Sequence, residues 1–254
     1  MPPYGMSFLL MLRLAGTLSR DFDVLICESA GCPDGDCAVV DEDFTLGNQA
    51  RWLADMLAGQ GFDAFHFVGW CQAAQIVAHA IATLGLKPLG MTWIAPSGFG
   101  YAVVKSEFDR CALPIYMEIG RLGIVGAEKL SRILDKYRDD TGEVEQTGER
   151  LTMLHLRDTD ATLVFSRYMK QYDQQRAEAR GSLSASLRGI PTQILHCRDD
   201  TYSHFSESVG IVRDFPEVEL KLSDSGGHLQ VFDAFSEPAD QIVGFIRRST
   251  ACTA

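Results

Sequence analysis

Five residues, Gly69-Trp70-Cys71-Gln72-Ala73, constrain this chain more than any other stretch. They join the apolar run Ala64-Phe65-His66-Phe67-Val68 to a second one, Ala74-Gln75-Ile76-Val77-Ala78. The first run reads as a strand and the second as the start of a helix. A nucleophile between small residues at such a junction is the nucleophile-elbow pattern, with cysteine where serine is usual. The turn is strained, so the positions two before and two after the nucleophile must be small, as Gly69 and Ala73 are. A thiol there stands at a helix N-terminus, where backbone N–H groups and the helix dipole favour negative charge. The same pentapeptide also describes a buried cysteine in an ordinary turn, so the rest of the chain has to decide.

A nucleophile needs a base, and the base needs an orienting acid. Near the C-terminus, Gly226-Gly227-His228 follows the strand-like Val218-Glu219-Leu220-Lys221-Leu222 and precedes a helical segment around Ile242–Ile246. Upstream, Thr192-Gln193-Ile194-Leu195-His196 runs into Cys197-Arg198-Asp199-Asp200. The order is therefore nucleophile, acid, histidine, each just past the C-terminal end of a strand. This order resembles the α/β-hydrolase superfamily over nearly the whole sequence. In that family the acid closes a G-x-x-D turn; here Cys197 replaces the glycine, which makes Asp200 the match and Asp199 the fallback. The segment around His228 fits the family pattern, with glycine before it and an apolar stretch ending in Phe232 after it.

Strand candidates are Phe22–Cys27, Ala64–Gly69, Gly90–Ala95, Thr192–Cys197 and Glu217–Leu222, alternating with helices near Phe44–Ala58, Gln72–Leu84, His204–Phe215 and Glu237–Arg247. Such alternation predicts an α/β fold with a mostly parallel sheet covered by helices on both faces. Residues 1–98 and 189–254 form the core on this reading, and 99–188 a helical insertion broken near Asp139-Asp140-Thr141-Gly142. Its best helix turns Leu163, Val164, Tyr168, Met169 and Tyr172 to one side, with Asp158 or Thr159 as N-cap. In the resembled family an insertion here is a lid over the active site; plain packing on the core is the other reading. Ahead of the first strand, Phe8, Met11, Leu12 and Ala15 share one helical face, which predicts a core helix in place of a signal peptide.

The N-terminus departs from the family. Pro2-Pro3-Tyr4-Gly5-Met6 looks like the family's oxyanion loop, yet the strand that precedes such a loop, in the middle of the sheet, has no counterpart here. A gap there strands buried N–H and C=O groups. The expectation is that the N-terminal strands are missing and that Met1 is an internal or misassigned start.

At 254 residues, 46% hydrophobic and 22% charged, the chain suffices for one sizeable core. A net charge of −11 lacks the basic face that nucleic acid or an anionic membrane demands. No run reaches the roughly 18 apolar residues of a membrane span. The seven cysteines are an odd number in a chain without a visible signal peptide, which predicts reduced thiols and a cytoplasmic location. Cys27, Cys32 and Cys37 are evenly spaced but lack a second pair or placed histidines, so no metal and no cofactor is expected. Cys111, Cys197 and Cys252 read as ordinary.

Given the resemblance, the implied machinery is Cys71 as nucleophile, His228 as base, Asp200 as orienting acid, and an oxyanion hole from the Gln72 N–H and the Tyr4–Gly5 loop. Trp70 is either a pocket wall or a core aromatic. Sulfur exchanges with a thioester at nearly equal bond energy, which tilts the reading toward acyl or aminoacyl transfer between thioesters. Gly69-Trp70-Cys71 and the chain order look like the transferases that move groups between carrier-protein thioesters in nonribosomal peptide assembly. Dienelactone-hydrolase-like enzymes, with a G-x-C-x-G elbow, are a second comparison. Three classes remain open: acyl transfer, hydrolysis of a thioester, ester or lactone, and a catalytically silent fold that binds a ligand. His66 and His79 read as structural, His204 as a minor rival to His228, Glu28 as an anchor, and Arg110 and Arg121 as solvated.

Overall fold

The apolar runs become strands wherever a neighbour supplies ladder partners. In the computed structural model, which describes residues 1–30, 32, 40–62, 64–134, 147–233 and 235–251, four of the five strand candidates form. They are β1 (His66–Trp70), β2 (Gly90–Ile94), β3 (Thr192–Cys197) and β4 (Glu219–Ser223), all parallel and in the order β1-β2-β3-β4. Central β2 and β3 are buried along their whole length, as near-continuous apolar runs of a covered parallel sheet should be.

The helices, taken along the chain, are α1 (Leu12–Leu18), α2 (Leu46–Gly59), α3 (Ala73–Leu84), α4 (Leu113–Leu122), α5 (Ile124–Leu134), α6 (Gly148–Thr152), α7 (Thr159–Gln174), α8 (Arg176–Leu187), α9 (Ser206–Asp214), α10 (Gln230–Asp233) and α11 (Ser236–Ala251). Strand side chains alternate between two cores. Phe67, Met91 and Trp93 pack with α2, α3 and α8, while Trp70, Ile94 and Leu195 pack with α1, α10 and α11. Helix α3 comes close to the sheet because its inner positions are small: Ala73, Ala74, Ala78 and Ala80 are fully buried. It ends at Gly85, which takes the left-handed conformation that favours glycine as a helix stop.

Two sequence expectations are corrected. Phe22–Cys27 forms no regular structure and pairs with nothing, because no described segment lies alongside it to accept a ladder. A cavity of about 730 Å³ separates it from β1. The N-terminal helix also presents a different face: Leu10, Met11, Leu14 and Leu18 are buried, whereas Leu12 is exposed. Phe8–Met11 is a 3-10 turn, and its tighter winding shifts the side chains relative to an α-helical count.

Between β2 and β3 the described residues form helices alone, α4 to α8. Asp158 caps α7 by accepting from Ala161 N–H, and Tyr168, Met169 and Tyr172 face inward as expected, with Leu163 and Val164 half-buried. The break expected near Asp139–Gly142, like Cys37 and Cys252, lies outside the described residues. Helices α4 and α7 cross closely at Gly120, where an added Cβ would lie 2.9 Å from the backbone oxygen of Ser166. Gly120→Ala should therefore destabilise the protein by about 1–3 kcal/mol. Gly181→Ala, on the open face of α8 with nothing within 4 Å, should stabilise it by about 0.5–1 kcal/mol. Thermal unfolding of both variants beside the parent checks the contrast.

Candidate functional site

Strand β1 ends at Trp70, and the next residue turns sharply: Cys71 has φ 56°, in the left-handed region that L-residues avoid. Its N–H remains bonded to the Ile94 carbonyl at 2.8 Å, so the residue reverses direction while still tied to the neighbouring strand. The small flanks are needed. A Cβ on Gly69 would meet the Phe67 ring at 2.5 Å and the Ala73 backbone at 3.4 Å, and Ala73 itself is fully buried. Gln72 is then the N-cap of α3, and the Ala74 and Gln75 N–H groups of its first turn bond back to the Cys71 and Gln72 carbonyls.

The acid and the histidine reach Cys71 from the ends of β3 and β4. Asp200 is 4% exposed and closes a turn after Cys197. Its Oδ1 accepts from Tyr202 N–H and Ser203 N–H, both at 2.8 Å, and its Oδ2 pairs with His228 Nδ1 at 2.7 Å. Cys71 lies near enough to the imidazole to raise its affinity for a proton. Asp199 does something else: it accepts from Gly226 and Gly227 N–H and so holds the loop that carries His228.

Charge follows from these contacts. Burial alone would lower the affinity of His228 for its proton, but the Asp200 and Cys71 charges and its hydrogen bonds to both outweigh this and raise it to about 10. Burial works against the Asp200 carboxylate as well. It is overcome by the His228 charge, the His196 and His228 side chains and the Ser203 N–H, which hold it well below the usual carboxylate range.

Several participants had no role in the sequence reading. Ser97, which follows the left-handed Ala95, has its hydroxyl 3.2 Å from Cys71 Sγ. The Tyr172 ring of α7 packs on the adjoining Gly98. His196 lies 3.4 Å from Asp200 Oδ2 and is itself held by Ser208 Oγ at 2.7 Å and by Ser203 O at 2.8 Å. Tyr202 stacks on His228 with centroids 5.3 Å apart. The His196-Cys197 strand end and the Ser97-Gly98 turn were visible signals, but spacing does not say which side chains converge.

The remaining candidates sort plainly. Trp70 is fully buried and its ring lies 5.2 Å from that of His228, so it is core and site wall together. Gly5 N–H is committed to Ser29 Oγ at 2.8 Å, and Gly5, at φ 63°, serves the turn. The Gln72 and Tyr4 N–H groups have no backbone or side-chain acceptor among the described residues. Tyr4 is buried and stacks on Tyr168. Glu28 anchors the N-terminal turn by accepting from Phe8 N–H. His204 hydrogen-bonds to Ser206, and His66 to Thr92. His79 contacts Ser182 and Glu178, Arg121 pairs with Glu118 in solvent, and Arg110 is exposed. The 730 Å³ cavity is not at this site, since Cys71, Asp200 and His228 do not line it.

The chain is similar in structure to a hydrolase from Oleispira antarctica (TM-score 0.72, 15% identity, covering 97% of this chain and 89% of the other). It is also similar to a putative lipase from Acinetobacter baumannii (0.73, 14%, 98% and 83%) and to a putative epoxide hydrolase from Pseudomonas aeruginosa (0.73, 16%, 99% and 88%). No protein-family model and no curated protein matches it. The fold is the α/β-hydrolase fold. Among the described residues no helix is long and apolar enough to cross a membrane.

Two outcomes follow from the geometry. Cys71→Gly should raise stability by about 1 kcal/mol, because glycine takes the left-handed turn without strain. The proton affinity of His228 rises on folding from the ordinary value of about 6.5. That interaction thus stabilises fully below pH ~6.5 and is lost as the pH climbs through about 10. Denaturant unfolding at several pH values should show stability falling across that window, and His228→Gln should flatten the slope.

Proposed function

We propose that the chain is an enzyme that transfers acyl groups through a covalent Cys71 thioester. The observation that carries this reading is the bonded pair Asp200–His228, with Cys71 near enough to raise the imidazole's proton affinity and its sulfur on a strained turn. With the proton on His228, the Cys71 thiolate attacks the carbonyl carbon of a thioester. A carbon–sulfur bond forms while the Gln72 and Tyr4 N–H groups receive the oxyanion. The tetrahedral intermediate collapses, the original thiolate leaves with the proton from His228, and acyl-Cys71 remains. An acceptor thiol or amine then gives its proton to His228 and attacks, which returns the Cys71 thiolate.

Transfer is favoured over hydrolysis by enclosure. Cys71 is only 5% exposed, with the Tyr172 ring packed on the Ser97-Gly98 turn beside it, so water would have little access to an acyl-enzyme. The acyl group arrives on a small thiol or on a carrier protein. No cofactor enters the scheme, and the free thiol it requires suits a reducing compartment such as the cytoplasm. Hydrolysis of a thioester, ester or lactone is the second reading, supported by the structural likeness to a hydrolase and a putative lipase.

Intact-mass spectrometry after mixing with acetyl and octanoyl N-acetylcysteamine thioesters tests this. An adduct is expected that is absent in Cys71→Ala, decays slowly in water and discharges quickly to an added thiol. Turnover without an adduct, lost in Cys71→Ala, would favour hydrolysis; adduct or turnover unchanged in that variant would exclude Cys71 as nucleophile. Asp200→Asn should slow turnover by about 10²–10⁴, since the imidazole loses its orienting acid.

A further inference from the structure

Past Ile94, at the end of β2, the chain turns through the left-handed Ala95, φ 45°, whose N–H stays bonded to the Leu195 carbonyl at 2.8 Å. The turn that follows is clamped on three sides by side chains of the site's own elements. Pro96 C=O accepts from Ser203 Oγ at 3.0 Å, and the N–H of that same Ser203 holds Asp200. Gly98 C=O accepts at 2.7 Å from Gln75 Nε2, on the first turn of α3 after Cys71. Phe99 N–H donates at 2.6 Å to Glu207 Oε1, on a side chain that is itself buried.

Ser97 sits in the middle of these clamps. Its hydroxyl lies 3.2 Å from Cys71 Sγ, and both residues are buried. A hydroxyl that served only its own turn would bond back to a nearby backbone group. Among the described residues, Ser97 Oγ bonds to none. While the sulfur keeps its proton, either atom can donate. The thiolate has no proton, so in that form Ser97 O–H is the donor and the sulfur accepts. A hydrogen bond to an ionised acceptor is stronger than a neutral one, and here the donor is already in place before the charge appears.

We propose that Ser97 is a catalytic residue of this site, whose hydroxyl holds the Cys71 thiolate before attack and receives it again as the leaving group when the acyl group moves on. The proposal rests on the reading of Cys71 as the nucleophile. When acyl-Cys71 forms, an electron pair of the sulfur enters the new carbon–sulfur bond and its hold on Ser97 weakens. The acceptor then attacks the acyl carbon and gives its proton to His228. The carbon–sulfur bond breaks, the pair returns to the sulfur, and Ser97 O–H donates to it once more. A thiolate held in this way is a milder nucleophile and a better leaving group, because the donor lowers its basicity. That balance suits transfer, in which Cys71 must release the acyl group as readily as it takes it.

The parent, Ser97→Ala and Ser97→Thr test it, each first checked for cooperative thermal unfolding; Ser97→Gly serves as the donor-free form if the alanine variant does not fold. Iodoacetamide alkylation is followed against pH on the Cys71 peptide by mass spectrometry, since the exposed Cys111 also reacts. Thiolate ultraviolet absorbance, taken as the difference from Cys71→Ala, is read in parallel and needs no reagent access. His228, Tyr4 and Tyr172, whose proton affinities feel the charge on this sulfur, are kept in every form. Losing a donor to a charged group costs about tenfold in thiolate formation. With a Brønsted coefficient of about 0.5, Ser97→Ala should alkylate about threefold more slowly on the acid limb and about threefold faster on the alkaline plateau. Ser97→Thr, which keeps a hydroxyl, should recover most of the difference on both limbs, and Ser97→Ala should hold an acetyl adduct longer than the parent. Equal profiles overturn the proposal, as do two limbs that fall together, the mark of a loosened turn. So does Ser97→Thr tracking Ser97→Ala, or an acyl group mapped to Ser97 itself. If the parent forms no thioester adduct while the profiles still cross, acyl transfer falls and the hold of Ser97 on the thiolate stands.

Discussion

The left-handed turn at Cys71 exists because the sheet holds it there. Its N–H bonds to Ile94 at the end of β2, Ala95 N–H bonds to Leu195 within β3, and Arg198 N–H bonds to Ser223 at the end of β4. Each strand is thus gripped by its neighbour one residue past its own end. Cys71 and Ala95, the described non-glycine residues with positive φ, sit at two of these grips. Strain of about 1–3 kcal/mol at such a residue persists only when surrounding bonds over-determine it. Here those bonds also raise the sulfur clear of the sheet and set Ser97 beside it.

The electrostatics rest on the same strand ends. Few ionised groups in the chain are as deeply buried as Asp200 and His228, and each is tolerated because the other is present. Asp200 spends Oδ1 on two backbone N–H groups and Oδ2 on two histidines, so none of its desolvation is left uncompensated. His196 sits behind the pair, with Ser208 and Ser203 fixing its ring. Trp70 and Tyr202 flank His228, which limits its rotation.

What could be read in the sequence was whatever depends on local geometry. Gly69 and Ala73 marked the elbow because a Cβ or a larger side chain collides there, and that collision is local. Asp200 was separable from Asp199 by counting along a turn, and the structure gives the two residues their distinct partners. Phe22–Cys27 was misread for a complementary reason: its residues have strand propensity, but a strand is made by its neighbours. The N-terminal helix face was misread because a 3-10 turn changes the period without changing composition. Ser97, Tyr172 and His196 escaped notice because their importance lies in convergence across 75 or more positions for Tyr172 and Ser97, which no spacing rule encodes.

The insertion supplies what the core cannot. Glycine at 98 leaves room that α7 fills: a Cβ there would lie 2.3 Å from both Gln75 Nε2 and the Tyr172 ring. Tyr172 is thus seated on the turn that carries Ser97, and Tyr168 stacks on Tyr4, beside the turn held by Ser29. One face of one helix covers both the Ser97-Gly98 turn and the Tyr4-Gly5 turn. Withdrawing α7 from both turns would expose Tyr168, Met169 and Tyr172, all now buried. Each large side chain so exposed would cost about 1.5–3 kcal/mol, which is what keeps α7 seated on both turns.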